Sequence, residues 1–274
     1  MSARAVLRYV LRQSRPGRQR PAWWDLTELG LAAAGFVAYF LVRGAVVDHP
    51  TLAITHAREI VALQMSLGLW VEPRLQALAM EVHPLVRAMN FVYFWLDFPL
   101  IVAVGVALFW KRPTHYILLR DALLISGGMA LVCYYAYPVA PPRYLRELGF
   151  VDTLEQFDHL SYQAQSMRPF VNPYAAVPSL HVGWAVLLSL TSFRVSSRLL
   201  LRSAGVVLVG LQAVAVVVTG NHFIFDGLVG LVLCIIAWQT AVVLQERGYP
   251  SVRWVAARYA HSRPRRSTIA RSSG

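Results

Sequence analysis

Two histidines and one aspartate have residue types and spacing suited to nucleophilic and acid–base chemistry. In Thr219-Gly220-Asn221-His222-Phe223-Ile224-Phe225-Asp226 the histidine and the aspartate are four residues apart, so they share one face of a helix. A carboxylate bonded to one imidazole nitrogen fixes the tautomer and leaves the other nitrogen as a nucleophile or a base. We therefore predict that Asp226 orients His222; the alternative is a structural His–Asp pair.

The other histidine lies in the segment Val177-Pro178-Ser179-Leu180-His181-Val182-Gly183. Proline followed by serine is typical of a helix start, where the Ser179 side chain can cap free N–H groups. His181 then falls in the first turn, and a helix N-terminus favours anions such as phosphate. We predict a phosphate site at Ser179 with His181 as a general acid; the alternative is an interfacial histidine beside an ordinary cap.

The elements that carry these residues are predicted to be membrane-spanning helices. The 274-residue chain is 57% hydrophobic and 15% charged, whereas soluble domains are less apolar and more charged. Several apolar runs approach the roughly 20 residues that cross a bilayer. The predicted fold is an all-α bundle of about six transmembrane helices at residues 26–47, 88–110, 116–137, 179–193, 206–219 and 223–244. Cys133 and Cys234 lie inside such runs and are predicted to be packing residues.

Residues 48–81 do not have the pattern of a span. Apolar residues recur there at helical spacing among charged ones, which indicates a helix lying on the membrane or plugging the bundle. The predicted domains are a basic tail at 1–22, a membrane domain at 23–245 and a second basic tail at 246–274. We also expect Glu28 and Arg43, near the ends of the first span, to snorkel to the interface.

The basic residues predict the orientation of the chain. Both tails and the two turns at 111–112 and 194–202 are rich in arginine, whereas the arginines of 48–87 and 138–177 are balanced by acids. By the positive-inside rule, both tails face the cytoplasm and the segments with His181 and His222 face outward. Because the arginines follow this pattern, the net charge of +12 is explained by topology, and no nucleic-acid partner is expected.

Taken together, Pro-Ser-x-His and the later His-x-x-x-Asp resemble the type 2 phosphatidic acid phosphatase superfamily. Val177-Pro178-Ser179-Leu180-His181-Val182-Gly183 and Thr219-Gly220-Asn221-His222-Phe223 look most like its inositol phosphorylceramide synthase (aureobasidin-resistance) branch. The resemblance covers residues 85–240. It implies that His222 attacks phosphorus and forms a phosphohistidine, that Asp226 orients His222, and that His181 protonates the leaving alcohol and then activates the acceptor.

The chain departs from the superfamily pattern at its basic phosphate ligands. The Ser-Arg that often precedes the nucleophilic histidine is replaced by Ala215 and Val216. The nearest counterpart of the first motif is Pro141-Pro142-Arg143-Tyr144, so Arg143 is the first candidate phosphate clamp and Arg146 and Arg168 are weaker ones. Asn221 either bonds substrate or caps the last span. Fewer basic ligands favour a phosphodiester over a dianionic monoester.

The prediction is therefore a plasma-membrane phosphotransferase that acts at the outer face and uses no cofactor and no metal. It would move a phospho-head group, inositol phosphate being one candidate, from a membrane phospholipid to a lipid or polyol acceptor. The alternatives are a lipid phosphate phosphatase with water as acceptor, a hydrolase that uses the same three residues as metal ligands, and a non-enzymatic lipid transporter. The sequence leaves open the oligomeric state and the role of Asp97, which either faces the cavity or pairs with another group.

Overall fold

The fold is an all-α helical bundle, as predicted. The computed structural model describes residues 50–158 and 172–248, with isolated helical positions at 26, 28, 30, 31, 33–35 and 37. No strand occurs among these residues; one parallel bridge joins Val139 to Ala175. The α-helices are α1 (Pro50–Ser66), α2 (Glu72–Met80), α3 (His83–Trp95), α4 (Phe98–Lys111), α5 (Pro113–Ala136), α6 (Thr153–Asp158), α7 (Leu180–Val195), α8 (Leu199–Val218) and α9 (Ile224–Arg247).

The chain divides into two compact units. One is Pro21–Ala241, and the other combines Met1–Arg20 with Val242–Gly274. In the second unit only residues 242–248 are described, which include the last residues of α9. The predicted basic tails at 1–22 and 246–274 therefore lie almost wholly outside the described residues. The helix contacts and the candidate site described below lie in the first unit.

Three helices of the described part are long and apolar enough to cross a membrane, namely α5, α8 and α9. They correspond to three of the predicted spans; α8 begins at Leu199, and an earlier start than residue 206 was among the expectations for this span. The predicted second span is a pair of helices, α3 and α4, bent by 46° at a short break. The predicted fourth span is the shorter apolar helix α7, of 16 residues. Most of the first predicted span, residues 26–47, lies outside the described residues.

A proline explains the break between α3 and α4. Pro99 has no N–H group for the carbonyl of Trp95, and its ring clashes with a continuous helix at that point. Helix α3 accordingly ends at Trp95, and α4 begins at Phe98 with Asp97 at its N-cap position. The carbonyl of Val92, one turn before the break, accepts bonds from the backbone N–H of Leu96 and from the Gln212 side chain. The break leaves Asp97 inside the bundle, where it is 8% exposed.

Helices α7 and α9 approach closely at two glycines. A Cβ atom on Gly183 would lie 2.5 Å from the Cys234 sulfur and 2.9 Å from the carbonyl oxygen of Gly230. A Cβ atom on Gly230 would overlap the carbonyl oxygen of Ser179. The backbone N–H of Ser179 also donates to the Asp226 carbonyl at 2.9 Å. The absence of side chains at these two positions therefore lets the first turns of the two helices come into direct contact.

The segment predicted to lie on or plug the bundle forms α1 and α2, of 17 and 9 residues, and neither is among the described helices that are long and apolar enough to cross a membrane. Small residues of α1 pack in a buried apolar cluster with Val139, Ala140, Phe150 and Phe223. Polar contacts hold the same helix against the segment that follows α5. The His56 ring bonds the Pro138 carbonyl at 2.8 Å, and Arg58 bonds Glu147 at 2.9 Å, which holds the pKa of the Glu147 carboxyl below its usual range.

Glu28 does not snorkel, contrary to expectation. Its side chain is fully buried and forms an ion pair with Arg120 of α5, which also bonds Asp121 at 2.8 Å. Arg43 lies outside the described residues. The predicted third span therefore contains two charged residues whose pairing could not be read from the sequence. A buried arginine between two carboxylates satisfies the rule that intramembrane charges are paired and face the bundle interior.

Candidate active site

His222 and Asp226 lie at the turn between α8 and α9. Helix α8 ends with Thr219 as its C-cap, and Gly220 follows with a φ of +68°, a conformation that favours glycine. A Cβ atom at Gly220 would also lie 2.7 Å from the carbonyl oxygen of Val151. The turn closes when the N–H groups of Asn221 and His222 both donate to the Val216 carbonyl at 3.1 Å. Val216, which stands where the superfamily often has arginine, is 1% exposed and packs in an apolar cluster.

The Nδ1 atom of His222 has two oxygen neighbours. It lies 2.9 Å from the carbonyl oxygen of Ala176 and 3.4 Å from Oδ2 of Asp226. A carbonyl oxygen only accepts, so Nδ1 is the protonated nitrogen in this bond and Nε2 keeps its lone pair. We predicted that Asp226 fixes the tautomer of His222. The carbonyl of Ala176, two residues before Pro178, also fixes it, and the spacing of the motifs did not reveal this contact.

Asp226 is fully buried and holds the turn as well as the ring. Its Oδ2 atom accepts the backbone N–H of Phe223 at 2.9 Å. Its Oδ1 atom has no hydrogen-bond partner among the described residues. A buried carboxylate oxygen without a partner is costly and indicates a position where a further group can bind.

His181 lies beside the other histidine, in the first turn of α7 as predicted. The two imidazole ring centroids are 5.7 Å apart. The His181 ring stacks on Tyr93 at 4.0 Å between ring centroids, and its Nε2 atom lies 3.6 Å from Oδ2 of Asp97. Asp97, left open by the sequence, therefore pairs with His181. The His181 side chain is 21% exposed, against 8% for His222, so it is the more accessible of the two rings.

Ser179 occupies the N-cap position of α7 but does not cap it with its side chain, contrary to the prediction. Its backbone N–H bonds the Asp226 carbonyl, which anchors the residue to α9 instead. The hydroxyl group is fully buried and has no hydrogen-bond partner among the described residues.

Arg143 and Asn221, two predicted substrate ligands, are in direct contact. An Nη atom of Arg143 donates to the Asn221 side-chain carbonyl, and Nε lies 3.2 Å from Oδ2 of Asp152. The backbone N–H of Arg143 bonds the Gly220 carbonyl at 2.8 Å. Asn221 donates its amide N–H to the Thr219 hydroxyl at 2.9 Å. The guanidinium group is thus fixed next to the residue that precedes His222, and Asp152 offsets part of its charge.

The two weaker arginine candidates are Arg168 and Arg146. Arg168 lies outside the described residues. Arg146 is exposed and lines a surface cavity of about 300 Å³ together with Asp152 and Glu155. Within the described part of the chain, no group of three or more His, Cys, Asp and Glu side chains is arranged to hold a metal ion.

Three buried polar residues near the turn were missed by the sequence reasoning. Gln64 and Glu72 accept backbone N–H groups of Phe225 and Ile224, at the start of α9. The amide of Gln76 donates to the carbonyls of Val151 and Val218 and accepts the N–H of Val151. The sequence did contain a signal for these three residues, because each is a polar residue on the buried face of an amphipathic helix. Such a residue must find a hydrogen-bond partner.

Residues 58–240, about two thirds of the chain, match a family model described as the PAP2 superfamily. The chain belongs to the PAP2 superfamily. The matched range contains every predicted site residue. PAP2 membership indicates an enzyme with lipid phosphatase or phosphotransferase chemistry and a membrane lipid as substrate. No curated protein and no solved structure matches the chain. The finer resemblance, to the inositol phosphorylceramide synthase branch of the PAP2 proteins, stays a prediction.

Proposed function

We propose that the chain is an integral membrane phosphotransferase that moves a phospho-head group from a lipid donor to an acceptor alcohol through a phosphohistidine on His222. The observation that carries the proposal is the 2.9 Å bond between His222 Nδ1 and the Ala176 carbonyl. It leaves the Nε2 lone pair as the nucleophile beside a second histidine. Inositol phosphate is the candidate head group suggested by the motif resemblance.

In the first step, the Nε2 lone pair of His222 forms a bond to phosphorus. The bond from phosphorus to the lipid alkoxide breaks, and the leaving oxygen takes a proton from His181. Asp97, whose Oδ2 atom lies 3.6 Å from Nε2 of His181, is proposed to orient this ring for the transfer. Asp226 and the Ala176 carbonyl stabilise the positive charge that develops on His222. The products of this step are a diacylglycerol and a phosphohistidine that still has the head group bonded to its phosphorus.

In the second step, neutral His181 accepts a proton from the acceptor hydroxyl. The acceptor oxygen attacks phosphorus, and the phosphorus–nitrogen bond breaks to restore His222. The buried Ser179 hydroxyl is proposed to hold a phosphate oxygen, because it has no hydrogen-bond partner among the described residues, and the N-terminus of α7 favours an anion at the same place. Arg143 is proposed to bind another through its fixed guanidinium group.

The charge around the site favours a phosphodiester substrate. Arg143 is buried and already paired with Asp152, while Asp97, Asp226 and Glu72 add negative charge nearby. A phosphate monoester carries up to two negative charges, and a phosphodiester carries one. Among the described residues, Arg143 is the arginine proposed to bind phosphate, and Asp152 neutralises part of its charge. It therefore suits the single charge of a phosphodiester better than the two charges of a monoester.

We further propose that the site faces outward from the plasma membrane and that both tails are cytoplasmic. The starts of α7 and α9 and the end of α8 carry the site residues, whereas the turns at 111–112 and 194–202 are basic. The positive-inside rule assigns those turns to the cytoplasm. The acceptor would then reach the site from the outer leaflet or the aqueous phase.

The test uses purified protein in lipid nanodiscs, with mixed phospholipids and candidate lipid or polyol alcohols. Wild type is compared with His222→Ala and with His83→Ala, which changes an exposed histidine of α3. Mass spectrometry should detect diacylglycerol and a new phosphodiester for wild type and His83→Ala only. Release of inorganic phosphate or of a phosphorylated head group would instead identify a lipid phosphatase. Lipid redistribution between leaflets without any chemical product would identify a transporter.

A further inference from the structure

The residue that precedes helix α9 cannot cap the helix with its own side chain. The residues before Ile224 include Phe223, whose side chain has no acceptor, although the first N–H groups of a helix have no partner within the helix. These groups lie one to three residues after His222. Their partners therefore decide how firmly the turn that carries His222 is held.

Three consecutive N–H groups at this point each have a side-chain acceptor. Phe223 donates to Asp226 Oδ2 at 2.9 Å, Ile224 to Glu72 Oε1 at 3.1 Å, and Phe225 to Gln64 Oε1 at 3.0 Å. Only the first acceptor comes from α9 itself. The other two come from α1 and α2, outside the spans and about 150 residues away in the chain.

Glu72 and Gln64 form a connected and buried unit. Glu72 is fully buried and Gln64 is 2% exposed. The Gln64 amide donates to Glu72 Oε1 at 2.5 Å, and the backbone N–H of Val71 donates to Oε2 at 3.0 Å. The carboxylate thus accepts three hydrogen bonds, so each side chain fixes the other before it meets α9. Polar groups buried in this way impose a specific geometry because a misplaced partner loses its bond without gaining water.

We infer that Glu72 and Gln64 are positioning residues for the nucleophile: they fix the first turn of α9 and, through it, the orientation of Asp226 and His222. The inference rests on the proposed phosphotransfer through His222. It assigns a role to the α1–α2 segment, which contributes no reacting group. Neither side chain touches His181 or Arg143 in the described contacts, so the effect is on the attacking ring and not on phosphate binding.

The first test measures the turn directly and needs no substrate. Hydrogen–deuterium exchange is followed on peptides that cover residues 223–228 in nanodiscs, for Glu72→Ala, Glu72→Gln, Gln64→Ala and the exposed control Arg74→Ala on the same helix. Glu72→Gln keeps an oxygen for Ile224 and for Gln64, so its exchange should match that of Arg74→Ala. Glu72→Ala and Gln64→Ala should exchange faster there. Equal exchange in all four variants would overturn the inference.

The second test separates positioning from folding. Glu72→Ala should lower kcat by about 100-fold with the donor KM within a few-fold of wild type, because a small displacement of a nucleophile carries a cost of this size. Glu72→Gln should recover most of the rate, and Gln64→Ala supplies the same comparison if Glu72→Ala does not fold. Faster exchange with unchanged kcat would reject the positioning role.

A double variant distinguishes this inference from the proposed function. If Glu72 acts through Asp226, then adding Glu72→Ala to Asp226→Asn should lower kcat much less than Glu72→Ala lowers it alone. Independent multiplication of the two effects would contradict the inference while leaving the phosphohistidine intact. If wild type itself forms no phosphohistidine, the proposed function fails, and the exchange experiment still decides whether the two side chains hold the turn.

Discussion

The Nδ1 atom of His222 lies 2.9 Å from the carbonyl oxygen of Ala176. This bond joins the two sequence motifs directly, because Ala176 lies just before Pro178 and Ser179, and His222 lies just before α9. Because a carbonyl oxygen only accepts, the bond requires the tautomer with its proton on Nδ1 and its lone pair on Nε2. A second backbone bond, from Ser179 to the Asp226 carbonyl, joins the same two segments. The motifs are therefore one structural unit, although they are some forty residues apart.

Replacing Asp226 by asparagine should reduce turnover strongly without unfolding the protein. Asparagine can still accept the N–H of Phe223, but it removes the negative charge that stabilises the His222 ring as it becomes cationic. Removing the carboxylate that orients a catalytic histidine costs up to about 10⁴-fold in rate, and we expect about 10²–10⁴ here. Steady-state turnover and thermal unfolding of the same preparations provide the measurement. Turnover within threefold of wild type would show that the Ala176 carbonyl alone suffices.

Replacing Arg143 by lysine should weaken donor binding. Lysine keeps the charge, but it cannot bond Asn221 and Asp152 and still present a planar pair of N–H groups to phosphate. We expect the KM for the lipid donor to rise about tenfold, with a smaller change in kcat. Arg146→Lys, three residues away on an exposed side chain, is the matched control. An equal rise in KM for both variants would indicate a general effect of surface charge.

Replacing Gly230 by alanine should damage both stability and activity. The added methyl group would overlap the Ser179 carbonyl and push α7 away from α9. Overpacking of this kind destabilises by about 1–3 kcal/mol, and it would also separate His181 from His222. Gly210→Ala in α8 is the matched control, because a Cβ atom there meets nothing within 4 Å. The control should be neutral or up to about 1 kcal/mol more stable. A similar loss of stability and activity in both variants would contradict the close packing of α7 against α9.

Cysteine labelling should establish the orientation. With Glu147→Cys and Ser197→Cys placed in the two exposed turns at opposite ends of the helices, a membrane-impermeant maleimide added to intact cells should label only the first. Wild type, with Cys133 and the buried Cys234, provides the background. Labelling of Ser197→Cys but not Glu147→Cys would reverse the topology and place the site on the cytoplasmic side.

The helices and the central residues could be predicted from the sequence because they rest on local patterns. Apolar run length predicted α5, α8 and α9. The spacing of His222 and Asp226 predicted that the two side chains meet, but the predicted shared helix face was wrong, because α9 begins at Ile224 and His222 lies in the turn before it. The partners of these residues could not be predicted in the same way. The bond to Ala176 depends on a backbone carbonyl, which carries no side-chain signal, and Asp97 reaches His181 only because Pro99 breaks the helix.

Long-range polar contacts also could not be predicted from the sequence. Glu28 and Arg120 are 92 residues apart, and Glu72 and Ile224 are 152 residues apart. A charge near the end of an apolar run is compatible with snorkelling or with a buried partner, and one sequence does not distinguish the two. The predicted side-chain cap at Ser179 was also wrong, because a long-range contact takes its place. The Ser179 backbone N–H is bound to the Asp226 carbonyl, and the hydroxyl has no partner among the described residues.

The most direct test of the central claim is to trap the covalent intermediate. Wild type, His222→Ala and His83→Ala are mixed with a lipid donor labelled in its phosphate, quenched in alkali within the first turnover, digested and analysed by mass spectrometry. The account predicts an acid-labile, alkali-stable phosphate on His222 in wild type and in His83→Ala, and none in His222→Ala. A label on another residue, or full turnover by His222→Ala, would contradict it.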